Sequence, residues 1–237
     1  MKNVILIFYA ILIASISMAQ EPLFIFNKPT SGSNTITYVS SPTGINGGSA
    51  TTTSALSFSP ANGDWVVLSL KTGSGATSAA CTDNNSNSFS ASSPASVTQS
   101  TMKIWEFYYT ATGSPSSFTC TWTTNATWAL SAASYHDTGT GSVNNAPASN
   151  TANATSTNPS VSPTSTVAGQ FMTAACGNAG STTWSAQTGN LRTSSSASVN
   201  GSSAIIDNTG SSGSSITESA TLGSSLAWAC VAIELKP

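Results

Sequence analysis

The chain has 237 residues, of which 39% are hydrophobic and only 6% charged, and its formal net charge is −2. No basic patch exists to neutralise phosphates, which argues against nucleic acid and against attraction to anionic membranes. Aromatic residues make up 8% of the chain and sit inside periodic apolar runs, so the reading is a packed β core coated with hydroxyl and amide side chains, not a disordered polar tract.

In chain order, Lys2, the apolar run Val4 to Ile16 and the small residues Ser17 and Ala19 read as a secretory signal peptide over 1–19. It is too short and wrongly flanked for a membrane anchor. Cleavage after Ala19 leaves residues 20–237, expected to form one domain, secreted or at the cell surface, with no membrane insertion. LFIF at 23–26 and TITYV at 35–39 read as short edge strands, and Gly47-Gly48 as a turn. DWVVLSLKTG at 64–73 is continuous and β-branched-rich, as a strand buried on both faces would be.

A strand carrying Cys81 then runs into TDNNSNSFS. In MKIWEFYYT at 102–110, alternation places Trp105, Phe107 and Tyr109 on one face and Ile104, Glu106 and Tyr108 on the other. FTCTWT at 118–123 alternates as well, and TWALSAASYH at 127–136 follows a turn at Asn125. Residues 138–165, rich in Thr, Gly, Asn, Ser and Pro, read as a long loop or a connection between halves. Strand signals return at 169–176, 182–188, 203–207, 215–221 and 226–235. Many short strands between Gly and Pro turns predict an all-β fold, an antiparallel, jelly-roll-like β-sandwich.

A faint internal echo divides the chain. DWVVLSLKTGSGAT corresponds to GQFMTAACGNAGST, and ATWALSAASY to LAWACVAIEL, with Trp128 matching Trp228. Four cysteines in an exported chain read as two disulfides with three conceivable pairings, and none has zinc-ligand spacing. If the two halves pair their strands alike, Leu70 beside Leu130 maps onto Cys176 beside Cys230. That favours Cys176–Cys230 and leaves Cys81–Cys120.

GDWVVLSL, the TDNNSNSF hairpin, MKIWEFYYT, the Trp-Ala strand ending in Tyr, AGQFMTAAC, AIIDN and AWACVAIELKP follow in an order that resembles a broad group of secreted bacterial β-sandwich domains. Relatives in that group occur in cell-surface and phage virion-like proteins. The resemblance spans roughly residues 60 to 237 and implies fold and location, not an active site. This chain departs from the group in having Cys176 and Cys230 on core strands and His136-Asp137 where a Ser-Gly pair is usual.

Candidate sites are few. Glu106 and Tyr108, with Trp122 and Trp184, are the residues that would stack on a sugar and bond its hydroxyls, against the plainer reading of strand aromatics as core. Asp83, Asn85 and Asn87 have the D-x-N-x-N spacing of oxygen ligands for a structural calcium ion. The loop lacks the glycine and glutamate that such a site uses further on, and a hairpin turn explains the stretch with less. His136 beside Asp137 does not make a triad, because neighbours on a strand face opposite ways. The Thr alternation at 119, 121 and 123 invites ice binding but lacks repetition. The expected role is a non-catalytic extracellular binding or adhesion module, with polysaccharide or a surface component as partner. The alternatives are a self-associating surface, filament or virion subunit, and a polysaccharide hydrolase.

Overall fold

Every regular element among residues 34–237, which the computed structural model describes, is a β-strand. The signal peptide at 1–19 and LFIF at 23–26 lie outside those residues. Asn34–Pro237 form one compact unit, and within it the chain traces the same path twice. The first half comprises β1 (Ile36–Ser40), β2 (Ile45–Thr52), β3 (Leu56–Ser57), β4 (Trp65–Gly73), β5 (Ala80–Asp83), β6 (Ser90–Gln99), β7 (Met102–Thr110) and β8 (Ser117–Asp137). The second comprises β9 (Ser142–Asn144), β10 (Thr151–Ser156), β11 (Ser160–Val161), β12 (Phe171–Asn178), β13 (Trp184–Thr188), β14 (Asn190–Ser194), β15 (Ser202–Asn208), β16 (Glu218–Leu222) and β17 (Leu226–Lys236).

The inner sheet of the first half has the order β1-β8-β4-β7-β6, with β2 beside β8; that of the second has β10-β17-β12-β15-β14, with β9 beside β17. The outer layers correspond too: β3 and β5 flank the N-terminal part of β8, and β11 and β13 flank β16. Strand for strand, β1 to β7 match β9 to β15, and the single long β8 matches β16 and β17 together. Each half is thus a jelly-roll-like antiparallel sandwich.

Inside the first half, Leu68, Leu70, Trp105 and Phe107 of the inner sheet meet Leu56, Phe118, Cys120 and Trp122 of the outer layer. Ala174, Cys176, Ala204, Ile206, Ala220 and Leu222 do the same in the second, with smaller side chains. The other faces of the two inner sheets pack on each other. Val67, Ala133 and Tyr135 meet Ile205, Ile233 and Leu235, and Met102 and Ile104 meet Ala175, Ala229 and Val231. The sandwich architecture is therefore doubled within one compact unit, two halves back to back and four layers deep. This explains why β4 is buried on both faces from Val66 to Thr72.

Cys81–Cys120 and Cys176–Cys230 are both bonded, and each joins residues directly opposite each other on neighbouring antiparallel strands. Leu70 and Leu130 are likewise opposite, as the internal echo requires.

Three local expectations are corrected. Gly47 and Gly48 do not turn the chain but lie within β2. No turn occurs at Asn125, because β8 runs unbroken from Ser117 to Asp137 and crosses from the outer layer to the inner. The stretch 138–165 is not one loop: it holds β9, β10 and β11, whose small residues are strand-forming only because β16 and β17 offer them an edge. β6 and β14 give no periodic apolar signal, since edge strands need little burial. Pro94 is tolerated in β6 where the register with β7 slips between Ala91 and Ser96.

Candidate functional site

Most of the sequence-selected residues are structural. Glu106 is fully buried between the two sandwiches, where its Oε1 accepts a hydrogen bond from Thr173 Oγ1 at 3.0 Å and its Oε2 has no partner. Burial pushes its carboxyl well above the ordinary range, against the pull of the bonds from Thr173 and the Ala175 N–H. It cannot reach a sugar outside the molecule. Tyr108 is half-buried at the mouth of the seam with Trp65, Tyr38 and Phe171, packed around buried Tyr135. Trp122 belongs to the first core and its indole N–H is buried unpaired. Trp184, almost wholly buried, donates its indole N–H to Ser202 Oγ at 2.7 Å, yet its ring also walls a hollow.

The calcium stretch folds as a turn. Asp83 Oδ1 accepts from the N–H groups of Asn85 and Asn87 at 2.9 and 2.8 Å, and Oδ2 from Asn87 Nδ2 and Tyr109 Oη at 2.8 and 3.1 Å. Burial would raise this carboxyl, but those bonds outweigh it and hold it below its usual value. Its oxygens face hydrogen-bond donors, which leaves the stretch unsuited to a cation. Among the described residues no group of three or more His, Cys, Asp or Glu is placed to hold a metal.

His136 has a partner that adjacency in sequence could not show. Its Nδ1 lies 2.9 Å from Oδ1 of buried Asp64, the residue before β4, while Asp137 caps the N–H groups of Gly139 and Gly141. The imidazole is 54% exposed. In the second half the matching positions are Gln170 and Lys236, so the pair belongs to one half only.

A hollow of about 330 Å³ lies along β2, lined by Asn46, Gly47, Gly48, Ser49, Ala50, Thr52, Thr53, Ser54 and Trp128. It is built by a bulge. Gly47 pairs with Trp128 and Ala50 with Ala126, so one extra residue on β2 leaves Gly48 and Ser49 outside the ladder. At Gly47 a Cβ would sit 2.5 Å from the Trp128 ring, so only glycine lets the main chain lie on the indole. At Gly48 a Cβ would meet nothing within 4 Å. The far end is fixed to the Cys81–Cys120 bridge: Cys120 N donates to Thr53 Oγ1 at 3.0 Å, and Thr53 N donates to Cys120 O at 2.9 Å.

The hollow carries hydroxyls, an amide and exposed backbone, and no charge. Trp105, Trp184 and Trp228 spend their indole N–H groups on Thr72, Ser202 and Ser156. The Trp128 N–H has no hydrogen-bond partner among the described residues. The second half has no equivalent, because Ala154 stands opposite Trp228 where Gly47 stands opposite Trp128.

This neutrality extends over the molecule. Asp64, Lys71, Asp83, Glu106, Asp207, Glu218 and Glu234 are buried, and Lys103, Asp137, Arg192 and Lys236 are half-buried, so none of the Asp, Glu, Lys or Arg side chains among residues 34–237 is fully exposed. The outer layers present rows of hydroxyls instead, with Thr121 beside Thr52 and Thr119 beside Thr82.

The chain matches no protein-family model, and searches of curated proteins and of solved structures return no match.

Proposed function

We propose that this chain is an exported, non-catalytic module that binds an uncharged, hydroxyl-rich polymer, a neutral polysaccharide, in the hollow along β2. The carrying observation is the hollow's chemistry: unladdered backbone at Gly48 and Ser49, and Ser, Thr and Asn side chains beside an indole whose N–H has no partner among the described residues, with no ionisable group in the lining. A concave site with a few fixed polar groups is the usual form of a small-ligand site. Neutral donors and acceptors match sugar hydroxyls, whereas a charged ligand would find no counter-charge. The two disulfides fit an oxidising compartment, in keeping with export. No carboxylate lines the hollow, which weighs against hydrolysis by an acid–base pair.

The test compares the purified protein with Gly48→Trp on a panel of soluble and insoluble neutral polysaccharides, with and without EDTA. The Gly48 Cβ position is open, so the indole fills the hollow without straining the fold. Retention of the wild type on one glycan, unaffected by EDTA and lost in Gly48→Trp at unchanged melting temperature, is the expected result. No retention on any glycan, or equal retention by the variant, would overturn the reading.

The charge-poor surface of residues 34–237 supports a second reading, a structural subunit whose copies meet with little electrostatic repulsion. Concentration-dependent light scattering with no glycan retention would favour it.

A further inference from the structure

We infer that the glycan site is extended, and that a second hollow at the seam between the two sandwiches takes further units of the same polymer; this rests on the reading of the β2 hollow as a polysaccharide site. The second hollow measures about 270 Å³ and is walled by Thr43, Thr183, Trp184, Ser194 at the end of β14 and the residues after it, Ser195, Ser196 and Ala197. Small-ligand sites commonly run from about 300 to 1,000 Å³, so each hollow alone is near or below the small end.

The two hollows are neighbours. Asn46 lines the first, and its Nδ2 donates at 2.9 Å to the carbonyl of Ser196, which lines the second. The residues leading to Asn46 run beside β14 as an added parallel segment. Ser41 Oγ donates to Arg192 O at 2.8 Å, Thr193 Oγ1 to Pro42 O at 2.6 Å, and Gly44 N to Ser194 O at 3.2 Å. A Cβ at Gly44 would stand 2.7 Å from Ser195 N, so glycine is required for this approach. The segment 41–46 between the linings is thus hydrogen-bonded to the second half, and its end at Asn46 is paired with Ala129 of the first. The spacing of the hollows is fixed before any ligand arrives, which removes an ordering cost from binding.

Their linings match. The second hollow also offers hydroxyls and an indole and carries no charge. It differs in that the Trp184 N–H is committed to Ser202, whereas the Trp128 N–H has no partner among the described residues. A ligand that continues from one hollow to the other must be a chain of repeating neutral units, not a single sugar.

Isothermal titration calorimetry with malto-, cello-, manno- and xylo-oligosaccharides of increasing length, from a single sugar upward, tests this. In the series that binds, wild-type affinity should climb roughly tenfold, which corresponds to about 1.4 kcal/mol, once the chain outgrows the first hollow. Ala197→Trp, on an exposed loop position, should abolish the climb while leaving the affinity for the shortest ligands unchanged. Gly48→Trp should remove binding at every length. Length-independent affinity, or a climb that survives Ala197→Trp, would overturn the extended site and leave the first hollow standing. Absence of binding at every length and on the polymers would overturn both.

Discussion

Single residues decide where this fold is polar inside. Asp207 in β15 accepts from Tyr135 Oη of the first half at 2.9 Å, from Arg192 Nε at 2.6 Å and from Asn190 Nδ2 at 3.1 Å, while the Arg192 guanidinium lies 4.0 Å from the centre of the Tyr38 ring. This clasp joins the two sandwiches through a carboxylate bonded at both oxygens. Asp207→Ala would leave a buried tyrosine hydroxyl and a half-buried guanidinium unpaired, and should cost about 3–5 kcal/mol in urea unfolding. Gly47 and Gly48 make a sharper contrast, since they are adjacent and identical. Gly47→Val drives a side chain into the Trp128 ring and should destabilise by about 1–3 kcal/mol. Gly48→Ala enters open space and should stay within about 0.5 kcal/mol of wild type in the same measurement. From sequence the two look like one turn signal, and only the partner strand tells them apart.

At the scale of elements, what the sequence made legible follows burial. β4, β7, β12, β15 and β17 carry apolar runs and lie where alternation and continuity put them, including the division of β7 between a core face and a seam face. β2, β6, β10 and β14 are edge or near-edge strands made of Ser, Thr, Asn, Gly and Ala, and their pairing comes from the neighbour, not from their own pattern. The candidate hollow lies on one of these, so its residues read as a turn, and Glu106 and Trp122, which periodicity did flag, went into the interior. Trp184 was flagged and does wall the second hollow, although its ring is mostly core.

The internal repeat was the productive signal, because it pointed to the cysteine pairing. It also shows that each half cross-links where the other uses an apolar pair. Cys81–Cys120 corresponds to Ala186 opposite Ala220, and Cys176–Cys230 to Leu70 opposite Leu130. The double variant Cys81→Ala/Cys120→Ala therefore recreates a pairing the second half already tolerates. It should lose about 2–4 kcal/mol in chemical unfolding and also weaken glycan retention, because Thr52 and Thr53 are bonded to Cys120. Cys176→Ala/Cys230→Ala should lose similar stability with retention intact; equal effects on retention would separate the bridge from the hollow.

Over the whole molecule, moving charge inward gives stability an unusual dependence on pH. Glu218 occupies the place of Phe118 in the repeat, fully buried with neither carboxylate oxygen bonded. Burial, followed by the nearby charges of Glu106 and Asp207, pushes its carboxyl well above the ordinary 4.5, and burial does the same to Glu106. An acid raised in the folded state binds its proton more tightly there than in the unfolded chain. Its contribution is most favourable below about 4.5 and is lost as pH rises through the folded value. Lys71 has the opposite sense on the alkaline side. Its ammonium lies between Asn200 O of the second half and Thr127 Oγ1 of the first, and burial lowers it from 10.5 to about 8. The cost of burying that charge is complete below about pH 8 and is relieved between there and 10.5.

Asp83 and Glu234 act against the acid side. Their hydrogen bonds outweigh burial and hold both carboxyls low, so their contribution disappears only as pH falls through those depressed values. The melting temperature should therefore peak in mildly acidic solution and decline through neutrality. Glu106→Gln combined with Glu218→Gln, which keeps the shape of a protonated carboxyl at every pH, should flatten the decline between pH 5 and 8 and leave the loss at strongly acidic pH in place. A wild-type melting temperature that instead rises from pH 5 to 8, or a double variant with an unchanged profile, would show that these two carboxyls are not held protonated inside the fold.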